Sequence, residues 1–253
     1  MVSIVLGALS IGLTLGLLGS GGSILTVPVL SYLVGQEQKL AIAGSLAIVG
    51  IISFFTMIPH IIKGKVAWDR VLYFGLPGMA GTYLGAWISK FVPGAIQFII
   101  FALVMLYAAY KMLTTNQELN TTKRGYLHMI ADGLLVGILT GFVGVGGGFL
   151  IVPALVLLGG LPIQTAIATS LVIIFMKSAS GFFKYQQLLA ESNIPIDWNV
   201  IAIISAVGII GSFSGIKLGQ LVNQTYLQRI FAVFLIVMAV YIGYQSVIEL
   251  TGV

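Results

Sequence analysis

An all-α, polytopic integral membrane fold, built from two homologous halves arranged as inverted repeats, is what this sequence predicts. Three observations predict it. The 253 residues are 58% hydrophobic and only 8% charged, with a mean hydropathy of +1.10, whereas soluble domains carry about 25% charged residues. Apolar runs of membrane-crossing length recur along the whole chain. A glycine cluster that interrupts such a run occurs twice, at Gly16 to Ser23 and at Gly141 to Gly148. Backbone that leaves a helix at membrane depth must be buried in protein or face water, because lipid satisfies no N–H or C=O group. Two matching interruptions therefore predict broken or re-entrant helices that build a site from two halves.

The elements follow in order. In the first half the apolar pieces are 2–18, 24–34, 40–62, 70–91 and 95–113. About 17 residues are the least that cross as a helix, so the second piece is too short and the first is marginal. The pair reads as a re-entrant unit joined at Gly19-Ser20-Gly21-Gly22-Ser23, followed by three full crossings. The polar stretch 114–125 reads as a cytoplasmic linker. The second half, 126–253, repeats the scheme after repeat one, 1–113. An offset of 125 residues pairs Gly16, Gly19, Gly21, Gly22 and Pro28 with Gly141, Gly144, Gly146, Gly147 and Pro153, and continues through Ser45/Ser170 to Ser53/Ser178. Further on the offset grows to 130, pairing Trp68 with Trp198 and Gly78, Gly81 and Gly85 with Gly208, Gly211 and Gly215. These last glycines share one helix face and predict close helix packing.

Loop charges favour inversion. An odd number of crossings per repeat places Lys63, Lys65, Arg70, Lys111, Lys123, Arg124, Lys217 and Arg229 on one side. Only Lys39, Lys90 and Lys184 fall on the other, as the positive-inside rule expects of a cytoplasmic face. The localisation this implies is a multi-pass protein of the inner or plasma membrane. The formal charge of +5 is thereby explained without a nucleic-acid partner. No cysteine is present, which excludes disulfides and thiolate chemistry. Neither Walker A nor H-E-x-x-H nor G-x-S-x-G occurs, so the expectation is no enzyme, no cofactor and no metal site.

The candidate site residues follow from the breaks. Glycine brings backbone close to a ligand, and a helix that starts after such a cluster offers free N–H groups and the positive end of its dipole to an anion. Ile24–Leu33 and Phe149–Leu158 are the expected short helices, with N-termini aimed at mid-membrane. The predicted substrate-binding set is Gly19, Ser20, Gly21, Gly22, Ser23 and Ser45 in one half, with Gly144, Gly146, Gly147, Gly148, Thr169 and Ser170 in the other. Lys177 joins it, because a charge far from either end of its segment faces a cavity or a partner; an ion pair with Asp132 is the bland alternative. His60 and His128 lie near segment ends and read as interfacial.

The paired stretches, above all Gly141-Phe142-Val143-Gly144-Val145-Gly146-Gly147-Gly148-Phe149-Leu150-Ile151-Val152-Pro153 with Ala166-Ile167-Ala168-Thr169-Ser170-Leu171, resemble the signature of the sulfite exporter TauE/SafE family of permeases. The resemblance spans essentially the whole chain. It implies a secondary transporter of small anions such as sulfite, sulfonates and thiosulfate, working by alternating access with proton coupling. Repeat one carries Ser20 and Ser23 where repeat two carries Val145 and Gly148, which makes the halves chemically unequal. An anion channel, a carrier of small carboxylates and a membrane accessory subunit are the competing functions. Partners are thus a small anion, protons and the bilayer.

Overall fold

The computed structural model describes residues 2–114, 125–143, 148–192 and 194–251. Among these residues every regular element is helical. The first half comprises α1 (Val2–Leu18), α2 (Gly21–Pro28), α3 (Gln38–Ile62), α4 (Trp68–Arg70), α5 (Leu76–Ile88) and α6 (Gly94–Thr114). The second comprises α7 (Tyr126–Val143), α8 (Gly148–Leu157), α9 (Ile163–Glu191), α10 (Trp198–Leu221) and α11 (Gln224–Thr251). A π-helical turn, Val71–Gly75, joins α4 to α5 without interruption. Among the described residues five helical stretches are long and apolar enough to cross a bilayer: Gln38–Ile62, Ile96–Thr114, Tyr126–Val143, Ile163–Glu191 and Trp198–Leu221. The expected linker lies almost wholly outside the described residues.

Large apolar side chains such as Leu103, Leu135, Ile210 and Val237 stand more than half exposed. That is costly in water and natural against lipid, where side-chain burial gives no drive for helix association and close packing must supply it. Glycine provides the approach. A Cβ at Gly12 would fall on the backbone of Gly208, and one at Gly16 on that of Ser212. Gly211 and Gly215 likewise abut the backbone of α1 at Leu9 and Leu13. The contacts advance in step, so α1 and α10 run parallel. The same seam recurs between α5 and α7, where Gly133, Gly137 and Gly141 meet the backbone of Phe74, Gly78 and Thr82 in turn. The first helix of each half therefore packs on the last helix but one of the other.

The centre of the molecule is the pair α3 and α9. Residues 41–50 of α3 and 166–174 of α9 are buried with hardly an exception. Gly50 faces Ser178, Phe54 stacks at 5.2 Å on Phe175, and Gly181 meets Leu46. Rising numbers on one helix meet falling numbers on the other, so the two run antiparallel. Outside them α6 and α11 pack together.

The short helix differs from expectation at its start: it begins at Gly21, inside the glycine cluster, and its α-helical part runs to Pro28. Proline lacks an N–H and its ring displaces the carbonyl four residues back. The chain answers by widening into a π-helical turn, Val29–Leu33, closed by the Val34 N–H donating to the Val29 carbonyl at 3.0 Å.

Candidate functional site

The first glycine cluster forms a tight, buried hairpin turn. Gly19 has φ +71°, a conformation in which a Cβ is strained, and a Cβ there would also strike Ile167 and Ser170 of α9. Its N–H closes α1 by donating to the Leu15 carbonyl at 2.8 Å. The Ser170 hydroxyl lies 3.3 Å from the Gly19 carbonyl and 2.8 Å from that of Ile167. Ser23 donates to the Ser20 carbonyl at 2.7 Å, and Thr26 to that of Gly22 at 2.8 Å. Ser20, Ser23 and Ser170 are completely buried. Thr169 accepts the Ala67 N–H at 3.0 Å, which pins the loop after α3 onto α9. Replacing Thr169 with valine keeps the shape and orphans that N–H, at a cost of about 1–3 kcal/mol. A fall in melting temperature of a few degrees in detergent checks this role.

The structure thus joins Gly19 to Ser23 of one half with Thr169 and Ser170 of the other. It does not bring Ser45 to the same place. Ser45 precedes Gly50 by one and a half turns on α3, Ser170 precedes Ser178 by just over two turns on α9, and the helices run in opposite directions. At 1.5 Å per residue the two hydroxyls stand about 20 Å apart along the bundle. The Ser45 hydroxyl is buried and donates to the Ile42 carbonyl at 2.8 Å. Gly144, Gly146 and Gly147 lie outside the described residues, and Gly148 is the first residue of α8.

The direction of the short helices also differs from expectation. Gly22 packs on Ile11 and Leu15, and Gly7 on Val29 and Leu33, so α2 doubles back along α1. Ala154 and Leu155 of α8, with Leu158 just after it, share a recess with Met129 and Asp132 at the start of α7, so α8 doubles back too. The two N-termini therefore point towards opposite ends of the bundle, not at each other across its middle. The physical reason is length: α1 advances about 25 Å before it turns, which carries the turn near the far end.

At that end a recess of about 30 Å³ opens beside the first turn, lined by Gly16, Leu17, His60, Lys65, Gln164, Ile167 and Gln220 among others. Among the described lining residues there is no carboxylate. The sequence reading set His60 aside as interfacial and did not single out Gln164 or Gln220. His60 is 9% exposed with neither ring nitrogen hydrogen-bonded. The signal that would have found it is its place one repeat offset before Tyr185. A second recess, about 50 Å³, opens at the other end and holds Lys39, Ser89, Lys90, Tyr185 and Glu191. Under the repeat offsets Tyr185 matches His60, Lys39 matches Gln164, and Lys90 matches Gln220. The second recess is bridged by an ion pair, Lys90 Nζ to Glu191 Oε2 at 2.7 Å. The Tyr185 hydroxyl within it lies 3.3 Å from the Gly141 carbonyl at the end of α7. A larger groove of about 500 Å³, lined by Val104, Leu139, Leu150 and Pro153 among others, is mainly apolar and offers little to an anion.

Lys177 joins neither recess. It is completely buried on α9, its ammonium position makes no hydrogen bond, and it lies 4.9 Å from the centre of the Phe74 ring.

Comparison with known proteins fits this architecture. The family model described as "Sulfite exporter TauE/SafE" matches residues 4–242. A probable membrane transporter protein of Xylella fastidiosa (strain 9a5c) is 32% identical, over 93% of this chain and 92% of its own length. One from Methanocaldococcus jannaschii is 26% identical over 91% and 92%, and YunE of Bacillus subtilis, again a probable membrane transporter protein, is 25% identical over 98% and 97%. No solved structure matches the chain. With a model match across nearly its full length and a helical, lipid-faced bundle, this chain belongs to the sulfite exporter TauE/SafE family of membrane proteins.

Proposed function

We propose that this protein is a secondary transporter of small anions, sulfite or organosulfur anions such as sulfonates and thiosulfate, in the inner or plasma membrane. Its halves, 1–113 and 126–253, act as inverted repeats. The antiparallel course of α3 against its counterpart α9, and the parallel pairing of α1 with α10 and of α7 with α5, support that symmetry. A two-fold axis lying in the membrane plane reverses equivalent helices, whereas an axis along the membrane normal would leave them parallel.

The observation that carries the anion reading is the first recess. It is lined by Lys65, His60, Gln164 and Gln220 without a carboxylate, and it stops at Leu17 and Ile167, which cover the buried Gly19-Ser20 turn and the start of α2. Donors and positive charge at a helix N-terminus suit a small oxyanion. The basic end of the bundle, with Lys63, Lys65 and Lys217, is the cytoplasmic face under the positive-inside rule. The second recess is the opposite vestibule, held shut by Lys90 and Glu191. Alternating access then exchanges which recess reaches its glycine turn.

The test is a thermal-shift screen of the purified protein against sulfite, thiosulfate, sulfoacetate and small carboxylates. An anion at 100 times its Kd stabilises by about 2.7 kcal/mol, so a rise of several degrees with one class is expected. In proteoliposomes the same anion should show saturable uptake. Flux without saturation assigns a channel, and no response to any anion removes the proposal.

A further inference from the structure

We infer that Lys177 is the residue that takes up and releases the coupling proton. The inference rests on the transport reading, and it starts from a feature that the anion recesses leave unused.

Lys177 sits on α9 one residue before Ser178, which faces Gly50 where α3 and α9 cross. Its side chain leaves that crossing sideways and fills the gap between α9, α5 and α7. The gap exists because position 78 is glycine: a Cβ there would fall on Lys177 Cε, and the Gly133 carbonyl of α7 lies on the same spot's far side at 3.2 Å. In the other half the same slot is filled by Ile52 against Gly208. Packing alone is therefore satisfied by an aliphatic side chain, and one half carries an amine in its place.

Among the described residues the amine has no polar partner. It is completely buried and makes no hydrogen bond, with only the Phe74 ring beneath it. Of the charged groups on the adjoining helices, Arg70, one turn before Phe74, directs Nη1 to Met129 Sδ at 2.7 Å and with Asp132 of α7 lines a small recess that Phe74 also borders. On α9 itself Lys184 lies two turns on, over the Tyr83 ring of α5. An unneutralised ammonium in such a place is costly, and an ionisable group at membrane depth is as a rule a functional one. Ser178 and its repeat counterpart Ser53 are also buried with hydroxyls that bond to nothing. Most other buried hydroxyls on these helices donate back to their own backbone, as Thr56, Thr82, Thr140 and Ser246 do. The crossing thus gathers three buried polar groups, Lys177, Ser53 and Ser178, that have no hydrogen-bond partner among the described residues.

A group of this kind couples charge. In the anion-free form the amine stays neutral. When an anion is bound, the field of its negative charge favours the ammonium, so the amine gains one proton from the side that is open. When the anion leaves on the other side, the proton follows, and the amine is restored. One proton moves with each anion and nothing else is consumed.

The experiment uses the full chain in proteoliposomes, with whichever of thiosulfate, sulfite and sulfoacetate the wild-type protein exchanges across the membrane. K177M and K177Q keep the length and remove the titratable amine. Anion-for-anion exchange should persist in both, while accumulation driven by a pH gradient falls at least about a hundredfold, the lower end of what a positioned proton-transfer group contributes. Full pH-driven accumulation in either variant overturns the assignment. As a second readout that needs no variant, anion binding to the detergent-purified wild type in unbuffered solution should take up close to one proton per chain. No uptake overturns the assignment even if both variants fail to fold. Wild-type exchange without any pH drive overturns Lys177 as carrier and leaves the anion reading standing. Absence of exchange with all three anions removes both.

Discussion

Leucine in place of Gly12 or Gly137 is expected to leave little or no folded protein. Both positions lie in the paired seams that join the halves, Gly12 against the backbone of Gly208 and Gly137 against that of Gly78. The obstruction is main chain on both sides, so no rotamer change relieves it. Adding bulk to a packed interior costs about 1–3 kcal/mol when side chains can shift, and here a whole helix must move. Against a net stability of about 5–15 kcal/mol, and with no hydrophobic drive to push helices together in lipid, the seam opens. Gel filtration of detergent extracts should show the monodisperse peak lost. Gly44→Ala is the control, because its new methyl meets no main chain, only the ends of the Leu30 and Gln36 side chains at 3.1 and 3.7 Å; it should keep the peak. The same reasoning changes how the glycine cluster is best probed. Gly22 abuts the Ile11 carbonyl and the Leu15 side chain, so a bulky residue there breaks the hairpin itself and reports on folding, not on substrate.

Much of this architecture was legible in the sequence for a simple physical reason. Membrane helices advertise themselves by apolar length, and glycines at spacings of three and four mark the face where backbones meet. Gly78, Gly81, Gly85, Gly208, Gly211 and Gly215 sit in those seams. Which helix they meet was not legible. Lipid and protein partners are equally apolar, so nothing in the composition of α10 says that it packs on α1 of the other half. The depth of the breaks was also hidden. The start of α2 depends on Gly21 and Gly22 joining the helix, and glycine is permissive enough to go either way. The antiparallel course of α3 and α9 then sets Ser45 far from Ser170, although both were in the set predicted from one duplicated motif. His60 was read as interfacial, and not as a site residue, for the opposite reason. A histidine near a helix end is common, and only the spatial meeting of α1, α3, α9 and α10 makes it a lining residue.

Tying the second vestibule shut should stop transport completely and reversibly. The Lys90 to Glu191 pair joins the end of α5 to the end of α9 at the mouth of that recess. Its counterpart mouth has Gln220 and Lys65, with no ion pair across it among the described residues. Both side chains of the pair are about half exposed, and exposed pairs are worth about 0–1 kcal/mol. A contact that weak does not hold a fold together, yet it biases two states that differ by a few kcal/mol. That is the property a latch needs, since it must break in every cycle. The chain has no cysteine, so K90C/E191C can be made without background. A short bis-methanethiosulfonate linker across the two thiols should abolish uptake into proteoliposomes, and a reductant should restore it. Either single cysteine treated in the same way should transport normally. Undiminished uptake by the linked pair would show that this mouth need not open, and alternating access through it would have to be abandoned. Reversing the charges, as K90E/E191K, should keep transport close to wild type, while K90E alone repels Glu191 and should loosen the closed mouth, seen as faster labelling of a cysteine placed at Ser89.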